Sequence, residues 1–262
     1  MEIIVFNPSS AGASFTEHTN QAYLLYYKEL EKNPNHHWKF NELRKYMEIN
    51  HSVNNSNSRN MFTLLKDCGF VKYEKGEFVQ LNSFFTKLGE AYAKTLESID
   101  ILKKGLSDEK NKLAYEKFQE LKQNIICIGL QNMLKNQESN FSTTLRKVIN
   151  FFLYFKSIDK IEYALLIYHS SKLTNYKTDL KKDINNYRSK QESFSVKVDT
   201  RDDTSSTKGN RILQEIGALT SYTYICNFLV QAGLVSKDNN SFVLKNDKIL
   251  LSKKMLNGEL DE

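Results

Sequence analysis

Two stretches of the chain read alike: GFVKYEKGEFVQL at 69–81 and GLVSKDNNSFVL at 233–244. Each carries a glycine, an apolar pair, a polar turn and a run built on Phe-Val, and each directly follows an apolar pattern of helical period. A glycine just past a helix supplies the left-handed residue that ends it. Two β-rich runs across a short polar turn pair into a hairpin. The expectation is therefore a helix followed by a hairpin, built twice. The first hairpin would pair 70–73 with 78–81 across Glu74 to Glu77, and the second would turn at Asp238, Asn239 and Asn240.

The residues ahead of the first hairpin predict three helices. Tyr23, Leu24, Tyr27 and Leu30 form one stripe at helical spacing, and Asn33-Pro34 stops it. Asn41 can cap a second helix with Leu43, Tyr46 and Met47 inward, and the polar 51–57 reads as a turn. Ser58 can cap a third, Arg59 to Asp67, with Met61, Phe62, Leu64 and Leu65 apolar, and Thr86 opens a returning helix to about Leu96. Three helices and a hairpin is the order of a winged helix, in which the third helix enters the major groove and the hairpin flanks it.

Residues 103–136 predict a charged helical connector with an apolar stripe at Leu113, Phe118, Leu121, Ile125 and Leu130. The pattern then recurs in Leu145 to Phe155, in Ile158 to Tyr168 with Ser157 or Asp159 as cap, and in a basic helix from Thr174 to Lys190. Gln191 to Asn210 lacks apolar periodicity and reads as a polar loop or insertion, after which Ile212 to Gln231 returns to helical spacing. The expected fold class is mainly α with short β-hairpins: two winged-helix modules joined by a helical connector. The expected domains are 1–98, 99–141 and 142–262, with the insertion at about 191–210.

With 262 residues and 40% apolar content, the chain can bury one large core or two ordinary ones. Val148 to Phe155, the richest apolar run, ends in Lys156 and is far short of a membrane span. The opening MEIIVF has no basic region before it, so it does not read as a secretory signal, and cytoplasm is the expected address. Cys68, Cys127 and Cys226 are widely spaced among apolar neighbours, as small buried side chains would be. Charge is uneven. Residues 145–190 hold ten Lys or Arg against four Asp or Glu, a surplus equal to the whole chain's net charge of +6. Such a surface suits a polyanion, or is simply a solvated lysine-rich face.

Signatures of catalysis are missing. There is no phosphate loop of the GxxxxGK[ST] form and no GxSxG elbow. Asp108/Lys110, Glu120/Lys122 and Asp179/Lys181 match the acid-x-Lys spacing of metal-dependent nucleases, but all fall in helical patterns where such pairs are surface charges. His36, His37 and His51 read as turn histidines without ligand partners, and no catalytic or metal site is expected.

In order and character the chain resembles the DNA-recognition region of type IIS restriction endonucleases and their nicking relatives, the FokI-like and AlwI-like enzymes. FNPSSAG before the first module and SRNMFTLLKDCGFVKYEKGEFVQLNSFFTKLGEAYAKT carry the first part of the resemblance. LRKVINFFLYFKSIDKIEYALLIYHSSKL, the helix ending NNYRSK, and IGALTSYTYICNFLVQAGLVSKDNNSFVL carry the rest. The resemblance implies reading of a short asymmetric site in double-stranded DNA. It also implies a separate nuclease domain or subunit as partner, with Mg²⁺ needed there and no cofactor needed on this chain. A winged-helix transcription regulator, a plasmid replication initiator and a protein-binding module remain alternatives.

A winged helix reads bases from the exposed start of its third helix and holds phosphates with loop and wing lysines. Base-reading candidates are Asn57, Ser58, Arg59, Asn60 and Thr63 in the first module, with Ser56 beside them. In the polar insertion they are Arg201, Asp202, Asp203, Ser205, Ser206, Lys208, Asn210 and Arg211. In the second module they are Ser221 and Tyr222, with Thr220 and Tyr224 nearby. Arginine pairs bidentately with guanine and asparagine with adenine, while aspartate accepts from cytosine. Phosphate candidates are Lys72, Lys75, Lys181, Lys182, Arg188, Lys190 and Lys237.

Overall fold

The computed structural model describes residues 1–8, 15–74, 76–135, 140–171, 176–200 and 212–257; the side chains of 55–57, 140, 176 and 257 also lie outside what is described. In chain order the first half holds β1 (Glu2–Phe6), α1 (Glu17–Lys32), β2 (Trp38–Lys39), α2 (Phe40–His51), α3 (Asn55–Asp67), β3 (Phe78–Val79), α4 (Leu81–Phe84), α5 (Lys87–Lys103) and α6 (Glu109–Lys135). The second half holds α7 (Asn140–Phe155), β4 (Ser157–Ile158), α8 (Lys160–Ser170), α9 (Tyr176–Arg188), β5 (Ser195–Asp199), β6 (Leu213–Glu215), α10 (Thr220–Gln231), β7 (Val235–Asp238), β8 (Ser241–Leu244) and α11 (Ile249–Asn257). The protein is mainly helical with small sheets. It divides into two units, one of residues 11–136 and 231–233, the other of residues 1–10, 137–230 and 234–262.

The first unit is packed around aromatic rings. Tyr23, Tyr26, Tyr27 and Leu30 bury one face of α1, while Leu43 and Met47 do so on α2, and Met61, Phe62, Leu64 and Leu65 on α3. Edge-on contacts join Tyr26 to Phe62 at 4.7 Å and Tyr23 to Phe85 at 5.3 Å between ring centroids, the tilted geometry that ring quadrupoles favour. Gly69 ends α3 with φ +75, as its place in the sequence predicts. Beneath it, Ile126, Leu130 and Met133 of α6 are buried, and Asn132 donates to the Cys68 carbonyl at 3.2 Å. Thr86 caps α5 by accepting from Gly89 N–H.

Residues 70–73 and 78–81 do not pair with each other as expected. A turn does form, with Gly76 at φ +93, but Val71 bridges to Phe85 and Lys72 N–H donates to the Phe84 carbonyl. Phe78 and Val79 pair instead with Lys39 and Trp38 of β2. Phe70, Phe84 and Phe85 are all buried, and holding these rings in one core draws residues 70–72 against 84–86. The predicted stripe of α6 also holds only in part. Ile125 and Leu130 are buried, whereas Leu113 and Leu121 are 55% and 44% exposed, because only the C-terminal half of this 27-residue helix is covered by the core.

In the second unit the hairpin forms as expected. β7 and β8 pair antiparallel from Val235↔Leu244 to Asp238↔Ser241, with Asn239 at φ 50 in the turn, a conformation asparagine adopts at low cost. β4 adds to β8, so the sheet order is β4-β8-β7. The polar insertion is not all loop: β5 runs parallel to β1 in register, with Ile3↔Val196 and Val5↔Val198, and β6 pairs antiparallel to β5. All four of those paired apolar side chains are buried, which explains a strand within an otherwise polar stretch. Residues 212–219 likewise form β6 and a short 3₁₀ turn rather than the start of a helix.

One glycine is required by packing. A side chain at Gly89 would meet the Phe70 carbonyl oxygen at 1.9 Å and the Tyr23 hydroxyl at 2.8 Å, and that hydroxyl donates to the Gly89 carbonyl at 2.9 Å. Gly89→Ala should lower unfolding stability by roughly 3 kcal/mol or more, as forced overpacking does, measured by urea denaturation. A loss below about 1 kcal/mol would show that α5 sits further from Phe70 than described.

Candidate nucleic-acid interface

Helix α3 begins near Asn55, earlier than predicted, with Ser58 N–H and Oγ both donating to the Asn54 carbonyl. This puts Ser58 three, four and seven residues before Met61, Phe62 and Leu65, on the buried face, and it is 1% exposed. Ser58 therefore neither caps the helix nor reaches a groove. Arg59, Asn60, Thr63 and Lys66 occupy the opposite, exposed face, the i, i+4, i+7 stripe that sequence spacing predicts. Thr63 Oγ donates back to the Arg59 carbonyl. Lys66 Nζ donates to the Tyr73 carbonyl at 2.9 Å and lies 5.2 Å from that ring's centre, so it ties the helix to the turn; it was not among the expected contacts. Among the described residues Arg59 makes no ion pair. The side chains of Ser56 and Asn57, and all of Lys75, fall outside the described residues; Lys72 is exposed.

In the second unit α9 presents Lys177, Lys181 and Lys182 to solvent, and Lys190 and Lys237 are exposed as well. Arg188 differs from them. Its Nε donates to Glu162 at 2.5 Å, and its terminal nitrogens reach the carbonyls of Phe155 at 3.1 Å and Ser157 at 2.9 Å. Glu162 is 4% exposed, and an unpaired carboxylate at that depth would be costly. The expected phosphate contact from Arg188 is thus replaced by a structural clamp. Glu162 also closes a reciprocal cap with Asp159 at the start of α8, and Tyr187 donates to Asp159 at 2.9 Å. Desolvation first, and this bond second, push the Tyr187 hydroxyl well up from its ordinary value.

Ser221 and Tyr222 also depart from expectation, being 0% and 6% exposed. They share the core face of α10 with Ile225, Cys226 and Leu229. Ser221 Oγ meets the Tyr163 hydroxyl at 3.0 Å and Ser221 N–H donates to Asn7, while Tyr222 donates to backbone carbonyls of Ile158 and Asn240. Thr220, with its hydroxyl against Asn7, is exposed, and Tyr224 is half-buried. Arg201, Asp202, Asp203, Ser205, Ser206, Lys208, Asn210 and Arg211 lie outside the described residues.

The acid-x-Lys pairs fall where helices were expected: Glu120 and Lys122 on α6, Asp179 and Lys181 on α9, and Asp108 at the start of α6, accepting from Lys110 N–H. Among the described residues no group of three or more His, Cys, Asp or Glu is placed to hold a metal ion. His36 and His37 are exposed; His51 instead ends α2 with Nε2 3.3 Å from a Glu29 carboxylate oxygen. The three cysteines are free and buried. No described helix is long and apolar enough to cross a membrane.

Two consequences can be measured. Arg188→Ala should cost about 3 kcal/mol, near the lower end for orphaning a buried partner because the guanidinium is a third exposed. Arg188→Lys should recover less than half, since one ammonium cannot fork to a carboxylate and two carbonyls; equal stability of all three proteins in thermal unfolding would refute the clamp. Asp67 closes α3, where the helix dipole disfavours an anion, and burial raises its carboxyl from the ordinary value against the opposing pull of Lys66. A raised native value means that Asp67 supports folding only while protonated, and its contribution is lost as pH climbs through that value. Asp67→Asn should therefore be more stable by about 0.5 kcal/mol at pH 7, a small effect for a half-buried group. The difference should vanish by pH 3, and a constant offset across that range would rule out the titration.

No family model, curated protein or solved structure matches this chain.

Proposed function

We propose that the chain binds double-stranded DNA sequence-specifically through two winged-helix modules, as the target-recognition part of a type II, IIS-like restriction endonuclease whose cleavage centre lies elsewhere. The observation that carries this reading is the outer face of α3: Arg59, Asn60 and Thr63 stand exposed on a helix whose opposite face is fully buried. Arginine and asparagine are the side chains best matched to guanine and adenine edges in the major groove.

Topology supports it. Each unit holds helix, short strand, helix and helix in succession; in the first a turn follows at once, in the second β5, β6 and α10 intervene before the hairpin, and the strand before α8 joins that hairpin through its second strand. In the first unit β2 likewise pairs with the strand after the turn. The exposed lysines of α9 and β7 add the sequence-independent attraction that phosphates provide. The restriction role rests on the resemblance of the segments quoted above, and any Mg²⁺ would belong to the partner nuclease domain or subunit.

The test is selection of bound duplexes from a random pool, followed by incubation of the selected duplex with this chain and Mg²⁺. A single short asymmetric motif without cleavage is expected. Arg59→Ala and Asn60→Ala should each relax one position by about 1–3 kcal/mol, whereas Lys182→Ala and Lys237→Ala should weaken all sequences and lower the salt slope by about 1 each. A palindromic motif bound by a dimer would favour a transcription regulator. No motif at all would end the DNA reading, and cutting by the chain alone would place a nuclease centre on it.

A further inference from the structure

Between α7 and α9, over the floor of α8, the second unit forms an open cavity of about 570 Å³, within the range of small-ligand sites. Its lining is of two kinds. Phe151, Tyr154 and Phe155 come from α7, with Phe155 4.6 Å from Phe151 and 4.7 Å from Tyr154 between ring centroids. Lys147 of α7 and Lys177 and Lys181 of α9 are part of the lining, and among the described residues no acidic side chain lines the cavity.

Tyr154 is the telling residue. It is 59% exposed although its neighbours Phe151 and Phe152 on α7 are buried, so its ring stands at the opening, edge-on to Phe155, instead of packing in the core. Lys181 Nζ lies 5.3 Å from the centre of that ring. Among the described residues none of the three lysines is in an ion pair. An apolar ligand alone would leave three cations without purpose, and an inorganic anion would not use the aromatic wall. A planar π-system with an attached negative charge satisfies both, by stacking on the ring and pairing with ammonium groups.

We propose that this cavity binds a nucleoside phosphate, with the base against Tyr154 and Phe155 and the phosphate held by Lys147, Lys177 and Lys181. The nucleotide can be free or can be an unpaired unit of a nucleic-acid strand; the recognising chemistry is the same. The inference does not depend on duplex reading by α3.

Calorimetric titration of the full chain with AMP, adenosine, inorganic phosphate and single-stranded hexadeoxyadenylate tests it. AMP or the oligonucleotide should bind, and adenosine and phosphate should each bind at least tenfold more weakly. Tyr154→Ala, at an exposed position where folding is retained and checked by circular dichroism, should weaken the bound probe about tenfold or more, as loss of one stacked base does. Lys177→Ala should weaken it and flatten its salt dependence. AMP binding would assign a free nucleotide, and binding of the oligonucleotide alone would assign a strand. The proposal is overturned by phosphate binding as tightly as AMP, by no binding of either nucleotide probe, or by affinity unchanged in both variants. Duplex selection is read separately, so nucleotide binding without a duplex motif would retain this site and remove the DNA reading, and the converse outcome would do the reverse.

Discussion

A buried carboxylate organises the second unit. Glu162 sits inside at the first turn of α8, where it must be met by donors or protonated. Its donors come from two directions: the Asp159 N–H of its own cap, and the guanidinium of Arg188 at the end of α9. Because Arg188 also binds the carbonyls of Phe155 and Ser157, one side chain joins the end of α7, the strand β4 and both following helices. The end of α9 is fixed by this anion, while His169 of α8, 2.8 Å from Asp183, and the buried Leu180 and Ile184 hold the rest of the helix. The first unit also buries a carboxylate, Glu29 of α1, met by Asn33 and by His51 at the end of α2. There the helices are held chiefly by interlocked rings and by the tight approach of Gly89 to Phe70.

Arginine use follows from this. Arg44 lies over the Phe40 ring and donates to Asn41, Arg146 donates to the Leu256 carbonyl, and Arg188 forms the clamp. These sites use the planar fork that lysine lacks. Among the described arginines, Arg59 is the exception, projecting from α3 without an ion pair. A guanidinium left in solvent on a helix keeps its bidentate donors uncommitted among the described residues, which is why the proposed DNA reading is centred on α3.

What could be read from the residues was local. The helical stripes of α1, α3 and α7, the Asp159 and Thr86 caps, and the glycine stops at 69 and 233 all depend on neighbours within one turn. The β7–β8 hairpin was legible for the same reason. The misses are non-local. The partner of β5 is β1, at the far end of the chain, so Val196 and Val198 looked like isolated apolar residues in a polar stretch. The partner of Phe78 and Val79 is a two-residue strand at Trp38, too short to leave a pattern. Ser221 is polar in sequence yet internal, and Arg188 is tied down at the surface, because Tyr163 and Glu162, distant in the chain, supply their bonds.

The same distinction sharpens the meaning of the charge surplus in residues 145–190. Arg146, Lys156, Lys160 and Arg188 donate to backbone carbonyls or to Glu162, and of these Arg188 is bound to a buried carboxylate that its departure would orphan. Among the described residues, Lys177, Lys181, Lys182 and Lys190 are exposed and Lys147 is half-buried, none of them in an ion pair. Three of these five line one cavity. Coulomb attraction at a concave, partly apolar surface is screened less than on an open face, which is the reason the proposed anion site is placed in the groove between α7 and α9 rather than on the evenly exposed lysines.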